Sequence, residues 1–139
     1  MVTDYYLDSS VALRILFHHS PAAAQWFDES TSSDEHVVQS SRLLRTEITR
    51  ALRRVGVALA LRDEVLDHLA LLPLNHAVLQ EAEAIGPHIK TLDAIHLASA
   101  LRSGLDGLVV VTHDDAMTRV AGELGLAVHD PVTDDPRSH

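Results

Sequence analysis

Short apolar runs alternate along this chain with longer stretches in which apolar positions recur every three or four residues. The runs Tyr5-Tyr6-Leu7, Val37-Val38, Leu108-Val109-Val110-Val111 and Ala127-Val128-His129 predict strands. The third has no polar interruption, as expected of a strand buried on both faces. Helical periodicity predicts helices over 11–17, 21–28, 41–55, 61–71, 77–85, 91–102 and 116–124. The helix over 41–55 is the clearest. Leu44, Ile48, Ala51, Leu52 and Val55 fall on one face of it, and Gly56 stops it. Pro21 suits a first helical turn. Residues 29–35 are a Ser/Thr/Asp-rich loop, and Leu72-Pro73-Leu74 reads as a short extended segment.

Strand therefore alternates with helix, which predicts an α/β fold: one domain with a central, mostly parallel sheet of about four to five short strands flanked by helices. With no repeat or linker, residues 1–130 form that domain and 131–139, with Pro131 and Pro136, are expected to be a flexible C-terminal tail.

Composition narrows the chemistry. The chain has 139 residues, enough for one substantial core. Only 4% are aromatic, so that core must come mainly from Leu, Val, Ile and Ala. No cysteine is present, which excludes disulfides, thiolate metal sites and cysteine nucleophiles. The N-terminal residues show neither a basic stretch nor an apolar one of signal-peptide type, and no apolar run approaches a bilayer span. A soluble, cytoplasmic protein is expected. The net charge of −9 is unusual for a protein that neutralises phosphates. Its distribution is more informative, because five of the eleven basic residues are Arg42, Arg45, Arg50, Arg53 and Arg54. They could be a solvated helix face or a phosphate-binding one.

The acidic residues carry the candidate chemistry. Ligands of parallel α/β sheets bind at the carboxyl ends of the strands. Asp8 ends the first predicted strand and Asp114 follows the most buried one, so both fall on the same sheet edge. Glu47 borders the apolar arc of its helix, and Asp93 shares a face with Leu97 and Ala100. Each also has a plain structural explanation. Asp8 and Asp114 precede helices and could be N-caps. Asp93 lies just after Thr91, a candidate cap, where it favours the helix dipole. Glu47 could pair with Arg50. Were all four close together, each like-charged pair at about 5 Å would cost roughly 3 kcal/mol at an effective dielectric near 20. Such a cluster needs a cation, and an all-oxygen donor set suits magnesium or manganese.

Four segments join these residues: Tyr5-Tyr6-Leu7-Asp8-Ser9-Ser10-Val11-Ala12-Leu13, Arg45-Thr46-Glu47-Ile48-Thr49-Arg50-Ala51-Leu52, Lys90-Thr91-Leu92-Asp93-Ala94-Ile95-His96-Leu97-Ala98-Ser99-Ala100 and Val110-Val111-Thr112-His113-Asp114. In order and spacing they resemble the four motifs of PIN-domain ribonucleases, most of all the VapC-type toxins of bacterial toxin–antitoxin pairs. The resemblance covers nearly the whole chain. It implies a PIN-like fold and a metal-dependent endoribonuclease in which Asp8, Glu47, Asp93 and Asp114 bind one or two Mg2+ or Mn2+ ions. It implies an RNA substrate, a cognate antitoxin that occludes the site, often with a basic residue, and a homodimer. Ser9 and Thr112 match the small hydroxyl residues beside the carboxylates. The family's Thr-x-Asp pattern selects Asp114 over its neighbour Asp115. His113 stands at a variable position, and His96, one turn from Asp93, reads as a packed or solvated histidine.

Rival readings have weaker support. An aspartate-nucleophile phosphatase wants a second acid two residues after the first, where this chain has Ser10. A phospho-accepting receiver needs a lysine after a late strand, and the only lysine, Lys90, precedes a helix. The remaining alternative is a non-catalytic protein-binding module of PIN-like fold, its carboxylates serving as caps or partner contacts.

Overall fold

The structure, a computed structural model, describes residues 3–136. Its first strand, Thr3–Leu7 (β1), sends alternate side chains to opposite faces of the sheet. Tyr5 and Leu7 pack on one face and Tyr6 on the other. From β1 the chain runs through helices Ser9–Leu16 (α1) and Pro21–Thr31 (α2) to strand His36–Ser41 (β2) and helix Arg42–Val55 (α3). A 3-10 turn, Leu59–Arg62, and a single-turn helix, Asp63–Leu66 (α4), lead to strand Ala70–Leu72 (β3). Then follow helices His76–Glu83 (α5) and Thr91–Arg102 (α6), strand Val109–Val111 (β4), helix Asp115–Glu123 (α7) and strand Ala127–His129 (β5). A 3-10 turn, Pro131–Asp134, comes last.

The five strands are all parallel in the order β3-β2-β1-β4-β5. The chain thus builds outward from β1 in one direction, then returns to add β4 and β5 on its other side. The direction reverses between β1 and β4, and the crevice beyond their carboxyl ends is the place where such sheets bind ligands.

Burial explains the two layers. On one face Leu7, Val38 and Val111 meet Val11 and Ile15 of α1, Phe27 of α2 and Leu44, Ile48 and Leu52 of α3. On the other, Tyr6, Leu108 and Val110 meet Ala100 of α6. All residues from Ala94 to Ala100 are buried, because α6 is enclosed by the sheet, α5 and α7. Leu97 packs on Met117, Val120 and Ala121 of α7, and Ile95 and Ala98 pack on Val78 of α5. Gly56 takes a left-handed φ of 82° at the end of α3, a conformation that favours glycine. Among the described residues, no helix is long and apolar enough to cross a membrane.

Three expectations change. The helix over 61–71 is instead a 3-10 turn, a single helical turn and β3. A Leu-rich stretch fits either period, and parallel pairing with Gln39 to Ser41 decides for strand. β3 occupies Ala70–Leu72 and ends before Pro73, which has no N–H to donate. β2 runs on through Gln39, Ser40 and Ser41, all buried although polar. The Ser40 hydroxyl donates to the Leu7 carbonyl at 2.7 Å, and the Ser41 hydroxyl accepts from the Leu43 N–H at 3.0 Å, capping α3.

The third change concerns the expected tail. Residues 131–136 are anchored: Pro131, Val132 and Asp135 are buried, Val132 within the main core, while Thr133, Asp134 and Pro136 are exposed. The buried Asp135 carboxylate accepts from the Ser20 hydroxyl and, at 2.8 Å, from the Ala22 N–H, both at the start of α2. A chain end carrying Asp and Pro reads as solvated until a helix N-terminus is there to receive it. The remainder of the expected tail, 137–139, lies outside the described residues. Replacing Asp135 with alanine should lower unfolding stability by about 1–2 kcal/mol, the usual cost of a lost capping contact. A chemical-denaturation midpoint equal to that of the parent would contradict this.

Candidate active site

The sheet's reversal point delivers the first carboxylate. The Asp8 N–H donates to the Val111 carbonyl at 3.0 Å, which extends the pairing of β1 and β4 one residue past β1. Asp8 occupies the N-cap position of α1, yet its side chain makes no cap hydrogen bond. Instead Oδ2 accepts from the Ser10 hydroxyl at 2.8 Å and the Thr112 hydroxyl at 2.7 Å. Oδ1 is buried and has no hydrogen-bond partner. A carboxylate only 1% exposed with one orphaned oxygen is poorly explained as a helix cap and well explained as a cation ligand.

Ser10 and Thr112 brace the two strand ends. Ser10 Oγ accepts the His113 N–H at 3.0 Å and lies 3.2 Å from Thr112 Oγ1, which in turn accepts the Asp114 N–H at 3.1 Å. Thr112 thus stands where the sequence placed it. The hydroxyl on the α1 side belongs to Ser10 rather than Ser9: at the first turn of α1 the second serine, not the first, turns back over Asp8.

Asp114 is the N-cap of α7, its Oδ1 accepting from the Met117 N–H at 2.8 Å. The capping role considered for it is real but occupies one oxygen. Asp115 is exposed, at the first residue of α7. Beyond them, His113 Nδ1 is 2.8 Å from Asp130 Oδ2, a half-exposed pair.

Glu47 does not pair with Arg50. Its Oε1 lies 2.5 Å from Nε2 of His96, and Nδ1 of His96 lies 2.8 Å from the Tyr6 hydroxyl. His96 is completely buried and Tyr6 likewise, while the Glu47 side chain is 19% exposed. Burial alone would lower the His96 pKa. The hydrogen bond to Glu47 and the charges of Asp8, Glu47 and Asp93 together outweigh it and raise the pKa. Burial also pushes the Tyr6 phenol well above its ordinary value, so it stays protonated.

Asp93 sits in the first turn of α6, whose N-cap is Lys90 rather than Thr91 and makes no side-chain cap bond. Its pKa rises from 3.8 to about 6, first through burial, then through the charges of Asp8 and Asp114 and more weakly Glu47, with His96 opposing. Beyond burial, the shift reflects like charge: α6 brings Asp93 within electrostatic reach of Asp8, Asp114 and Glu47. Burial and like charge thus both disfavour the ionised Asp93 carboxylate.

The donor chemistry fits a hard divalent cation, with oxygen ligands and a buried orphaned oxygen on Asp8. Among the described residues, no three carboxylate or imidazole groups are already drawn together as a ligand set. Glu47 is turned to His96 and Asp114 to its own helix. The apolar cleft between α5 and α6, lined by Leu79, Ile85, Ile89 and Ile95, includes none of the four.

Comparison with known proteins identifies the family. The PIN domain family model matches residues 5–123. The chain is 38% identical over 128 residues to Ribonuclease VapC46 of Mycobacterium tuberculosis, covering 91% of this chain and 96% of that protein. It is 30% identical over 131 residues to Ribonuclease VapC47 of the same species, with the same coverage. Two solved structures share the fold. VapBC2 from Rickettsia felis, bound to a promoter DNA fragment, superposes with a TM-score of 0.70 at 12% identity, covering 92% of this chain and 98% of that one. A toxin–antitoxin complex from Klebsiella pneumoniae gives 0.68 at 16% identity, covering 91% and 97%. The chain belongs to the PIN-domain family. Within that family, the sequence relatives just described carry the name VapC ribonuclease.

Because the folded pKa of Asp93 lies above its unfolded value, the folded state holds its proton more tightly between about pH 4 and pH 6. Asp93 therefore supports the fold below that window and loses this contribution as pH rises through about 6. The Asp93→Asn variant should gain stability relative to the parent across the window, by about 1 kcal/mol after allowance for solvent screening, and then level off. Paired denaturation curves from pH 4 to pH 7 test this, and a constant difference would contradict the crowding of carboxylates.

Proposed function

We propose that this protein is a metal-dependent endoribonuclease and the toxin of a toxin–antitoxin pair. The observation that supports the reading best is the buried Asp8 carboxylate with an unpartnered oxygen, in a chain 38% identical to a VapC ribonuclease, with Asp93 within the electrostatic reach of Asp8, Asp114 and Glu47. In this reading the four carboxylates hold Mg2+ or Mn2+. The bound cation supplies positive charge for the phosphate and lowers the pKa of an attacking water.

The rest belongs to the chain's own side chains. Ser10 and Thr112 fix Asp8 by donating to one oxygen, which leaves the buried Oδ1 as the oxygen that would take a cation. Asp114 contributes the oxygen that its cap leaves over. Asp93, whose ionised form burial and like charge disfavour, gains from the ion. Arg42, Arg50, Arg53 and Arg54 lie exposed on the helix that carries Glu47, and they hold RNA phosphates beside the carboxylates. A basic side chain of the antitoxin would answer the same concentration of negative charge, which supports a partner that inhibits by occlusion. The homodimer expected from the resemblance is part of this proposal.

A non-catalytic module remains the alternative, since Asp114 does cap α7. The Asp8→Asn and Asp93→Asn proteins should each lose RNA cleavage at least about 100-fold while remaining folded. Chelation should abolish cleavage and added Mn2+ restore it. Retained cleavage in either variant or in chelator would support a different chemistry. Asp114→Asn should lower cleavage strongly and Asp115→Asn little, and the reverse ranking would exchange their roles. Reversing Arg50 and Arg53 to Glu should weaken RNA binding and flatten its salt dependence by about one unit of slope per lost phosphate contact. An unchanged slope would remove these arginines from the interface.

A further inference from the structure

Three of the four carboxylates stand on different elements: Asp8 after β1, Glu47 on α3 and Asp93 on α6. A single buried chain of side chains crosses the same three elements. Tyr6, on β1 two residues before Asp8, reaches His96 on α6, and His96, three residues after Asp93, reaches Glu47 on α3. Tyr6 and His96 are both 0% exposed. The polarity of the chain is fixed by its chemistry. Nε2–H of His96 donates to the Glu47 carboxylate, in the neutral ring as in the charged one. With the ring neutral, Nδ1 accepts the Tyr6 hydroxyl, so each ring nitrogen has its matching partner.

Resting on the nuclease reading, we infer that His96, anchored by Tyr6, is the positioning residue that fixes the Glu47 carboxylate for divalent-cation binding. Glu47 has three rotatable side-chain bonds and a partly exposed head, so without His96 it would sample many directions before finding an ion. With Oε1 engaged by His96, Oε2 is the oxygen presented to the cation. Asp8 is held in the same manner by two hydroxyls, one oxygen bonded and the other left to the ion. His96 touches neither the cation nor RNA. It differs from a packed core histidine because both ring nitrogens are engaged and one partner is itself a candidate ligand.

The test is calorimetric titration of the full chain with Mn2+, without RNA, for the parent, His96→Leu, His96→Gln and Tyr6→Phe, with thermal unfolding measured on each. His96→Leu should weaken Mn2+ binding about 10- to 100-fold. Tyr6→Phe should weaken it about threefold or more, and His96→Gln, which can still donate to Glu47, should recover most of the loss. In a Glu47→Gln background, His96→Leu should cost nothing further, since the carboxylate it positions is gone. A purely structural role would lower the unfolding temperature of the variants and leave the Mn2+ affinity of the folded protein unchanged, and that result would overturn the inference. Should His96→Leu not fold, Tyr6→Phe and His96→Gln decide: unchanged affinity in Tyr6→Phe together with full loss in His96→Gln also overturns it. If the parent itself binds no Mn2+, the metal-dependent reading beneath it fails; if the parent binds and the variants bind equally, only the role of His96 fails.

Discussion

Mutual repulsion among carboxylates is the constraint around which this end of the molecule is built. Burial first, and then the charges of Asp8, Asp114 and Glu47, raise Asp93 to a pKa of about 6. Each of the other three has a compensation within the protein. Asp8 receives two hydroxyl protons, Glu47 the buried imidazole of His96, and Asp114 an amide at the start of α7. These compensations come from α1, the residue after β4, α6 and α7, so the local electrostatics and the global topology are one problem. The parallel sheet order makes the solution possible, because the order reverses between β1 and β4, whose carboxyl ends lie beside Asp8 and Asp114.

What the sequence discloses and conceals follows from the range of each interaction. The uninterrupted Leu108 to Val111 run and the face formed by Leu44, Ile48 and Leu52 announce β4 and α3, because periodicity is a local signal. The last three residues of β2 are hidden, since Gln39, Ser40 and Ser41 are polar and become strand only through pairing with β3, Gln39 pairing also with β1. In the site, Asp8 and Asp114 are linked by sheet logic alone. Glu47 and Asp93 are linked to them by the family pattern, with helical periodicity giving only their faces. The contact between His96 and Glu47 spans 49 residues and joins two helices, and nothing in the local pattern encodes it. The nearest clue is that His96 falls one turn after Asp93. Ser10 taking the place expected for Ser9 is a matter of rotation at the first turn of α1, finer than any periodicity.

The fold itself says less about function than the site does. Structures only 12% and 16% identical to this chain share its architecture over more than 90% of its length. Such a scaffold fixes where strand ends and helix starts lie and leaves the surface free to vary. Here α3 carries both Glu47 and the exposed Arg42, Arg50, Arg53 and Arg54, so basic charge is concentrated on one helix of an acidic chain. A net charge of −9 can therefore coexist with affinity for a polyanion, because attraction at close range depends on the local field rather than on the total.

Asp114 serves two masters. The carboxylate that would help hold an ion is also the group that closes the first turn of α7 through the Met117 amide. Any rotation of that carboxylate toward an ion competes with the cap, so occupancy of the crevice and fraying of a helix start become thermodynamically linked. α7 packs through Met117, Val120 and Ala121 onto Leu97, on the helix that bears both Asp93 and His96. Were an ion held there, it would in this way be felt in the hydrophobic layer beneath, and the exchange rate of the Met117 amide proton would register it from outside.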